Sequence, residues 1–210
     1  STPFRLNLNI GDVGHTLIIG PTGAGKSTLL ALLALQWLKH PHARVIIFDK
    51  DRSARAATLA VCGRIYEPGN PSAPVSFQPL ARVNEPSERL WASQFVLSLI
   101  EAQLEGTTTP EMKTTVDRAL QLLADRDPVQ RTILNFADAL GDPTLAEALR
   151  PYTIQGDFGQ IFDADSDDVH DCFWAMFEMG HLMSLGPAAL GPALDYLFHR
   201  VEAHLDGRPV

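Results

Sequence analysis

Gly20, Pro21, Thr22, Gly23, Ala24, Gly25, Lys26 and Ser27 are the residues whose types and spacing most plainly carry chemistry. They fit G-x-x-x-x-G-K-[ST], a loop whose successive backbone N–H groups wrap a chain of phosphates. Glycine at positions 20, 23 and 25 lets the backbone turn tightly and approach phosphate oxygens that a Cβ would hold away. The N-terminus of a following helix would add its partial positive charge. In this pattern Lys26 reaches the β and γ phosphates as the catalytic cation, and the Ser27 hydroxyl ligates Mg²⁺. The expected nucleotide-binding set runs from Gly20 to Thr28, with ATP and Mg²⁺ as cofactors. A loop that binds nucleotide without hydrolysing it has the same residues, so the pattern alone leaves both readings open.

Such a loop needs a strand before it and a helix after it. Thr16-Leu17-Ile18-Ile19 is the apolar run that reads as the strand, and Ser27 to Lys39 reads as the helix. Phe4, Leu6, Leu8 and Ile10 alternate with polar residues, so an earlier strand is expected to return through Gly11–Gly14 as a hairpin. Leu29, Leu30, Leu32, Leu33, Leu35, Trp37 and Leu38 surround most of the helix, which predicts cover on several sides. Arg44 to Phe48 reads as a second buried strand, completing a β-α-β unit and implying a parallel sheet. Asp49 closes that strand. It is either a magnesium carboxylate or a residue of the ligand-binding rim, with the Mg²⁺-holding strand elsewhere.

Further along, Ala54 to Ala60 reads as a short helix broken by Gly63, and Val75 to Leu80 as a strand after a Pro/Gly/Asn/Ser loop. The period then becomes 3.6. Pro86 to Leu104 carries Trp91, Phe95 and Leu99 on one face; Thr108 with Glu111 resembles a capping box opening the next helix, striped by Met112, Val116, Leu120 and Leu123. Ile133, Phe136, Ala137 and Leu140 mark a third helix, and Asp142-Pro143 opens a fourth. The expected organisation is an α/β core formed by residues 1–83 and 151–210, with residues 84–150 inserted as a helical subdomain. An apolar run from Cys172 to Phe177 resumes the core, and a last helix from Pro187 to Leu205 turns Leu190, Leu194, Leu197, Phe198 and Val201 inward.

Composition narrows the classes. A net charge of −8 with no basic run argues against bulk attraction to nucleic acid or anionic lipid, leaving only a local pore loop for such contact. Cys62 and Cys172 lie far apart in apolar-leaning settings, which predicts core thiols of a reducing, cytosolic compartment. Leu29 to Leu38, the longest apolar stretch, is too short to span a bilayer, so attachment to a membrane is expected through partners or through segments outside these residues. Asp163, Asp165, Asp167, Asp168 and Asp171 suggest a calcium loop, but an EF-hand opening at Asp163 would need Gly and Glu where Asp168 and Trp174 stand. A solvated acidic turn is the expectation. His199 and His204 are five apart, outside the i,i+4 metal spacing, and His40 and His42 merely flank a proline.

Several stretches together resemble the conjugal-transfer ATPases of type IV secretion systems, the TrbE/CagE group that includes the VirB secretion ATPase. They are Gly11-Asp12-Val13-Gly14-His15-Thr16 before the loop, Phe48-Asp49-Lys50-Asp51-Arg52-Ser53 after the second strand, and Gln78-Pro79-Leu80-Ala81-Arg82 before the helices. Gly156-Asp157-Phe158-Gly159-Gln160-Ile161-Phe162-Asp163, Phe177-Glu178-Met179 and Tyr196 to Glu202 extend the likeness almost to the end. The resemblance implies an α/β P-loop NTPase: a RecA-like three-layer core with a predominantly parallel sheet and an all-helical insertion. It further implies a homo-oligomeric ring, hexameric or paired, at the cytoplasmic face of the bacterial inner membrane, working with type IV secretion components to power pilus assembly or substrate transfer.

The same resemblance places the Walker B strand, ending in Asp-Glu, just after the Asp-Gly-Arg-Pro turn at 206–209. The expectation is therefore that these 210 residues bind nucleotide weakly and hydrolyse it poorly without that glutamate. A ring would also need an arginine finger, and Arg52, Arg55, Arg82, Arg131, Arg150 and Arg200 are not separable by sequence. Competing functions are a DNA-translocating motor of the coupling-protein or FtsK/HerA kind, a small-molecule kinase with Asp49 on magnesium, and a non-catalytic scaffold binding partners through residues 84–150.

Overall fold

The structure is a computed structural model that describes residues 8, 14–104 and 106–203. In chain order it contains helix α1 (Lys26–Trp37), strand β1 (Val45–Asp49), helix α2 (Arg55–Ala60), strand β2 (Arg64–Tyr66), helices α3 (Pro86–Leu104), α4 (Pro110–Ala124), α5 (Ile133–Leu140), α6 (Pro143–Leu149) and α7 (Gly159–Phe162), strand β3 (Trp174–Glu178), and helices α8 (Gly180–Ser184) and α9 (Pro187–Glu202). The sheet is wholly parallel, with β3 between β1 and β2. Both connections out of β1 and β2 are crossovers, as parallel pairing requires. The protein is thus mixed α/β around a small parallel sheet.

One aromatic ladder crosses this sheet. Phe48 and Tyr66 stack on Phe177 at 5.4 and 5.1 Å, and Phe198 of α9 closes on Phe48 at 5.1 Å. Trp174, fully buried at the start of β3, donates its indole N–H to the Thr58 hydroxyl at 2.9 Å, tying α2 to the central strand. A Cβ at Gly63 would lie 2.5 Å from Trp174 Cδ1, so the chain approaches the ring at a point where only glycine fits.

The helical stripes lie where periodicity places them. Phe95, Leu99, Val116, Leu120, Leu123, Ile133, Phe136 and Leu140 are buried, in a hydrophobic cluster that runs without a break into Phe177 of β3 and Tyr196 of α9. Local capping holds the ends. Asp142 Oδ1 accepts the N–H groups of Thr144 and Leu145, and Thr132 accepts that of Asn135. The cap of α4 is Thr109, whose hydroxyl accepts the Met112 N–H, and not Thr108, whose own N–H goes to Glu101. Arg131, 8 % exposed, donates to the carbonyls of Ala124 and Arg126 at the end of α4, where a cation complements the helix dipole.

Other expectations change. Thr16–Ile19 forms no strand pairing among the described residues, and Leu17 and Ile19 are 83 % and 84 % exposed. Leu29, Leu30 and Leu32 are also exposed while Leu33, Leu35, Trp37 and Leu38 are half-buried, so α1 has only part of the cover its leucines predict; among the described residues β1 has β3 alone beside it, and no strand backs the helix. Leu17 and Ile19 forgo most of the about 1.5–3 kcal/mol that full burial of such a side chain contributes, and the three leucines a part of it. Phe4, Leu6, Ile10, His204 and Leu205 lie outside the described residues.

Val75–Leu80 is buried but is not a strand: Phe77 N–H bonds to Ile161 and its carbonyl receives Ala164, a local clasp in place of a ladder. The actual short strand is β2. Phe198 is half exposed despite its aromatic neighbour, and Cys62 is exposed, while Cys172 is half-buried and its thiol is pushed up by that burial.

Candidate nucleotide-binding site

The loop between residues 20 and 27 has the backbone its glycines permit. Gly23 and Gly25 both have φ near 82°, in the left-handed region, and an added Cβ at either would meet nothing within 4 Å. Gly25 is the N-cap of α1 and no side chain caps that end; the first turn carries no acid. The leading N–H groups of a 12-residue helix are therefore open to an anion. Lys26 folds back over the loop, its Nζ donating to the carbonyls of Gly20 at 2.7 Å and Pro21 at 2.8 Å. An incoming phosphate would offer the ammonium a charged acceptor in place of two neutral ones. Ser27 and Thr28 are exposed in the first turn. Pro21, Thr22 and Ala24 complete the loop, with Ala24 N–H turning back to Pro21. Open glycines, an uncapped helix start, a poised lysine and an exposed hydroxyl fit a Mg²⁺-bound triphosphate.

A second arrangement lies at the carboxyl edge of the sheet, where ligands of open α/β sheets gather. Asp49 and Glu178 end adjacent strands in direct register, and Glu67 follows β2. Asp49 takes the Lys50 N–H and Ser53 hydroxyl on Oδ1 and the Ala54 N–H on Oδ2. Glu178, only 4 % exposed, takes the Asp51 and Gly180 N–H groups on Oε1 and the Arg52 N–H on Oε2. Glu67 holds Arg52, Arg55 and Asn70. Burial tends to raise the Glu67 carboxyl, but the Asn70 hydrogen bond and the two guanidinium charges outweigh it and hold it below the usual range. Sequence reasoning missed Glu67 as a site and noted Glu178 only within a resemblance. The available signal was an acid directly after each apolar strand run.

The acidic stretch is a solvated turn only in part: Asp165, Asp168 and Asp171 are exposed, whereas Asp163 and Asp167 are drawn into the fold. Asp163 is buried and accepts the N–H groups of Leu134 and Ile154, joining α5 to the chain before α7; burial raises its carboxyl despite those bonds. Asp167 accepts the Tyr196 hydroxyl and lies beside Arg200, Asp168 accepts the Ser76 N–H, and Asp171 pairs with Arg44 at 2.7 Å. Among the described residues no cluster of His, Cys, Asp or Glu is arranged for a metal ion. Of the arginines considered as fingers, Arg131 is committed to carbonyls and Asn84, Arg52 and Arg55 to Glu67, Arg82 to Glu85 and Glu88, Arg150 to Glu147, and Arg200 to the Val169 carbonyl.

Among the described residues no helix is long and apolar enough to cross a membrane.

Comparison with known proteins shows what the chain is similar to. Residues 2–53 match the family described as Helicase HerA, central domain. The whole chain is 39 % identical over 214 residues to a probable conjugal transfer protein TrbE of Sinorhizobium fredii, spanning 32 % of that protein. It is 38 % identical over 216 residues to the conjugal transfer protein TrbE of Rhizobium radiobacter, spanning 26 %. It is 28 % identical over 214 residues to the type IV secretion system protein virB4 of Bartonella henselae, spanning 27 %. The fold is similar to that of VirB4 of Thermoanaerobacter pseudethanolicus, with a TM-score of 0.60 at 17 % identity over 88 % of this chain and 56 % of that one. The chain thus spans between about a quarter and a third of these curated relatives, and throughout that span it is similar to the conjugal-transfer and type IV secretion proteins TrbE and VirB4.

Proposed function

We propose that this chain is the nucleotide-binding part of an ATPase motor of a conjugal-transfer or type IV secretion system. It would be a RecA-like P-loop core that powers pilus assembly or substrate transfer. Similarity to TrbE and VirB4 along the whole chain, together with an uncapped helix start behind left-handed Gly23 and Gly25, carries the reading. In it Gly20–Thr28 enclose the triphosphate, Lys26 neutralises charge on the β and γ phosphates, and Ser27 holds Mg²⁺. The bound metal would supply charge neutralisation between the β and γ oxygens. The chain's own part is to orient the phosphates through the amides of positions 22–27 and to exclude random approach of water. Ring assembly and contact with other secretion components at the inner membrane belong to the same proposal, as does the division into a core of residues 1–83 and 151–210 and a helical insert at 84–150.

The test is ATP hydrolysis and conjugation by the protein expressed from its complete reading frame, with and without Lys26→Ala. Hydrolysis and transfer that both vanish in the variant support the reading; transfer that survives the loss of Lys26 sinks it. The match of residues 2–53 to the HerA description favours one second reading, a DNA-translocating motor. Stimulation of hydrolysis by DNA would select it.

A further inference from the structure

The two successive residues Asp51 and Arg52 both stand in the left-handed region, at φ 66° and 57°, though neither is glycine. Such a conformation is strained for a residue with a side chain and persists only where its surroundings enforce it. Here the enforcement is visible. Glu178 reaches across from the central strand and accepts the N–H groups of both strained residues, at 3.2 and 2.8 Å. Its third hydrogen bond, from Gly180 at 3.1 Å, fixes the carboxylate to its own chain. A 4 % exposed carboxylate without a cation beside it among the described residues is costly, and three backbone donors are what offset that cost.

The turn held this way in turn orients Asp49. Lys50 N–H, Ser53 Oγ and Ala54 N–H all belong to the same turn and its exit into α2, and all three donate to the Asp49 carboxylate. Of the four lone-pair directions of that carboxylate, three are taken, two on Oδ1 and one on Oδ2. One direction on Oδ2 is left open among the described residues. Asp49 is half-buried at the carboxyl edge of the parallel sheet, the edge at which ligands of open α/β sheets gather.

We infer that Glu178 is a positioning residue for the nucleotide chemistry, acting through the strained turn at Asp51 and Arg52 to aim the open Oδ2 direction of Asp49. This rests on the reading of the chain as an ATPase. Glu178 does not itself touch nucleotide. Its removal alters the orientation of Asp49, and so the turnover step, while leaving the phosphate-enclosing amides of 20–27 in place.

The experiment uses the protein from its complete reading frame and compares wild type, Lys26→Ala, Glu178→Gln, and Glu178→Gln combined with Asp51→Gly. Glutamine keeps the shape of the side chain but offers one carbonyl oxygen to three N–H groups. Glycine at 51 adopts the left-handed conformation unaided. A misplaced catalytic geometry costs on the order of 10²-fold, so kcat of Glu178→Gln falls by about that factor while KM for ATP and the affinity for a fluorescent ATP analogue stay within about twofold. Adding Asp51→Gly restores about tenfold. Hydrogen exchange, which needs no turnover, shows the Asp51 and Arg52 amides protected in the wild type and released in Glu178→Gln.

A folded Glu178→Gln protein with wild-type kcat overturns the inference, as do exposed Asp51 and Arg52 amides in the wild type. A variant that loses affinity and kcat together, or cannot be rescued at position 51, shows a merely structural residue and overturns it too. Failure of the underlying reading looks different: the wild type itself then has no Lys26-dependent turnover, and both proposals fall together.

Discussion

Replacing Gly25 by alanine isolates the contribution of backbone shape to nucleotide binding. Gly25 has φ 82° and ψ 15°, and its ideal Cβ position meets nothing within 4 Å, so alanine introduces no collision. What it introduces is the cost of the left-handed conformation for an L side chain, about 1–2 kcal/mol. That lowers the population of the phosphate-enclosing loop, and apparent affinity falls with the competent fraction, by roughly 5- to 30-fold. Gly141 is an internal control. It caps α5 at φ 68° with equally open space, so Gly141→Ala should cost a similar free energy in unfolding and leave nucleotide affinity unchanged. Titration with a fluorescent ATP analogue and urea unfolding measure the two quantities. Unchanged affinity in Gly25→Ala refutes the argument, as does an affinity loss of the same size in Gly141→Ala.

Two further predictions concern the scaffold. Gly63→Ala drives a methyl group to 2.5 Å from Trp174 Cδ1, in a ring already held by Thr58, and overpacking of this kind costs about 1–3 kcal/mol; a urea midpoint within error of wild type would contradict it. Glu67 has its carboxyl held below the ordinary range, so the unfolded chain binds the proton more readily than the fold does. Its contribution is therefore full above the usual glutamate range and is lost as pH falls through the lowered folded value. Glu67→Gln should flatten the acid limb of stability against pH while leaving its alkaline side parallel to wild type, as followed by thermal unfolding from neutral to acid pH.

The failures of sequence reading are instructive at particular residues. Val75, Ser76 and Phe77 alternate as a strand would, yet the backbone groups of Ser76 and Phe77 bond to Ile161, Ala164 and Asp168 as an irregular clasp. Alternation reports which faces are buried and not what the backbone pairs with. Arg64–Tyr66 is only three residues, too short for any period to register, and owes its strand geometry to β3. The leucines of α1 predict cover on several sides, yet Leu29, Leu30 and Leu32 are exposed and Leu33 and Leu35 only half-buried. Asp163 and Asp167 read as solvent-facing charge because composition cannot distinguish an acid in water from an acid whose oxygens accept buried donors.

The sequence alone determined the left-handed glycines of the 20–27 loop, the apolar stripes of α3, α4 and α5, and the cap at Asp142. Each is encoded within a few neighbouring residues, through glycine's access to positive φ, the 3.6-residue period and short side chains reaching adjacent amides. The tertiary structure decided that Glu178 holds Asp51 from 127 positions away, that β3 inserts between β1 and β2, and that an acidic run is tied into the core. Those outcomes depend on which distant surfaces meet, and hydrogen bonds between residues so far apart in sequence exist only after packing has brought them together.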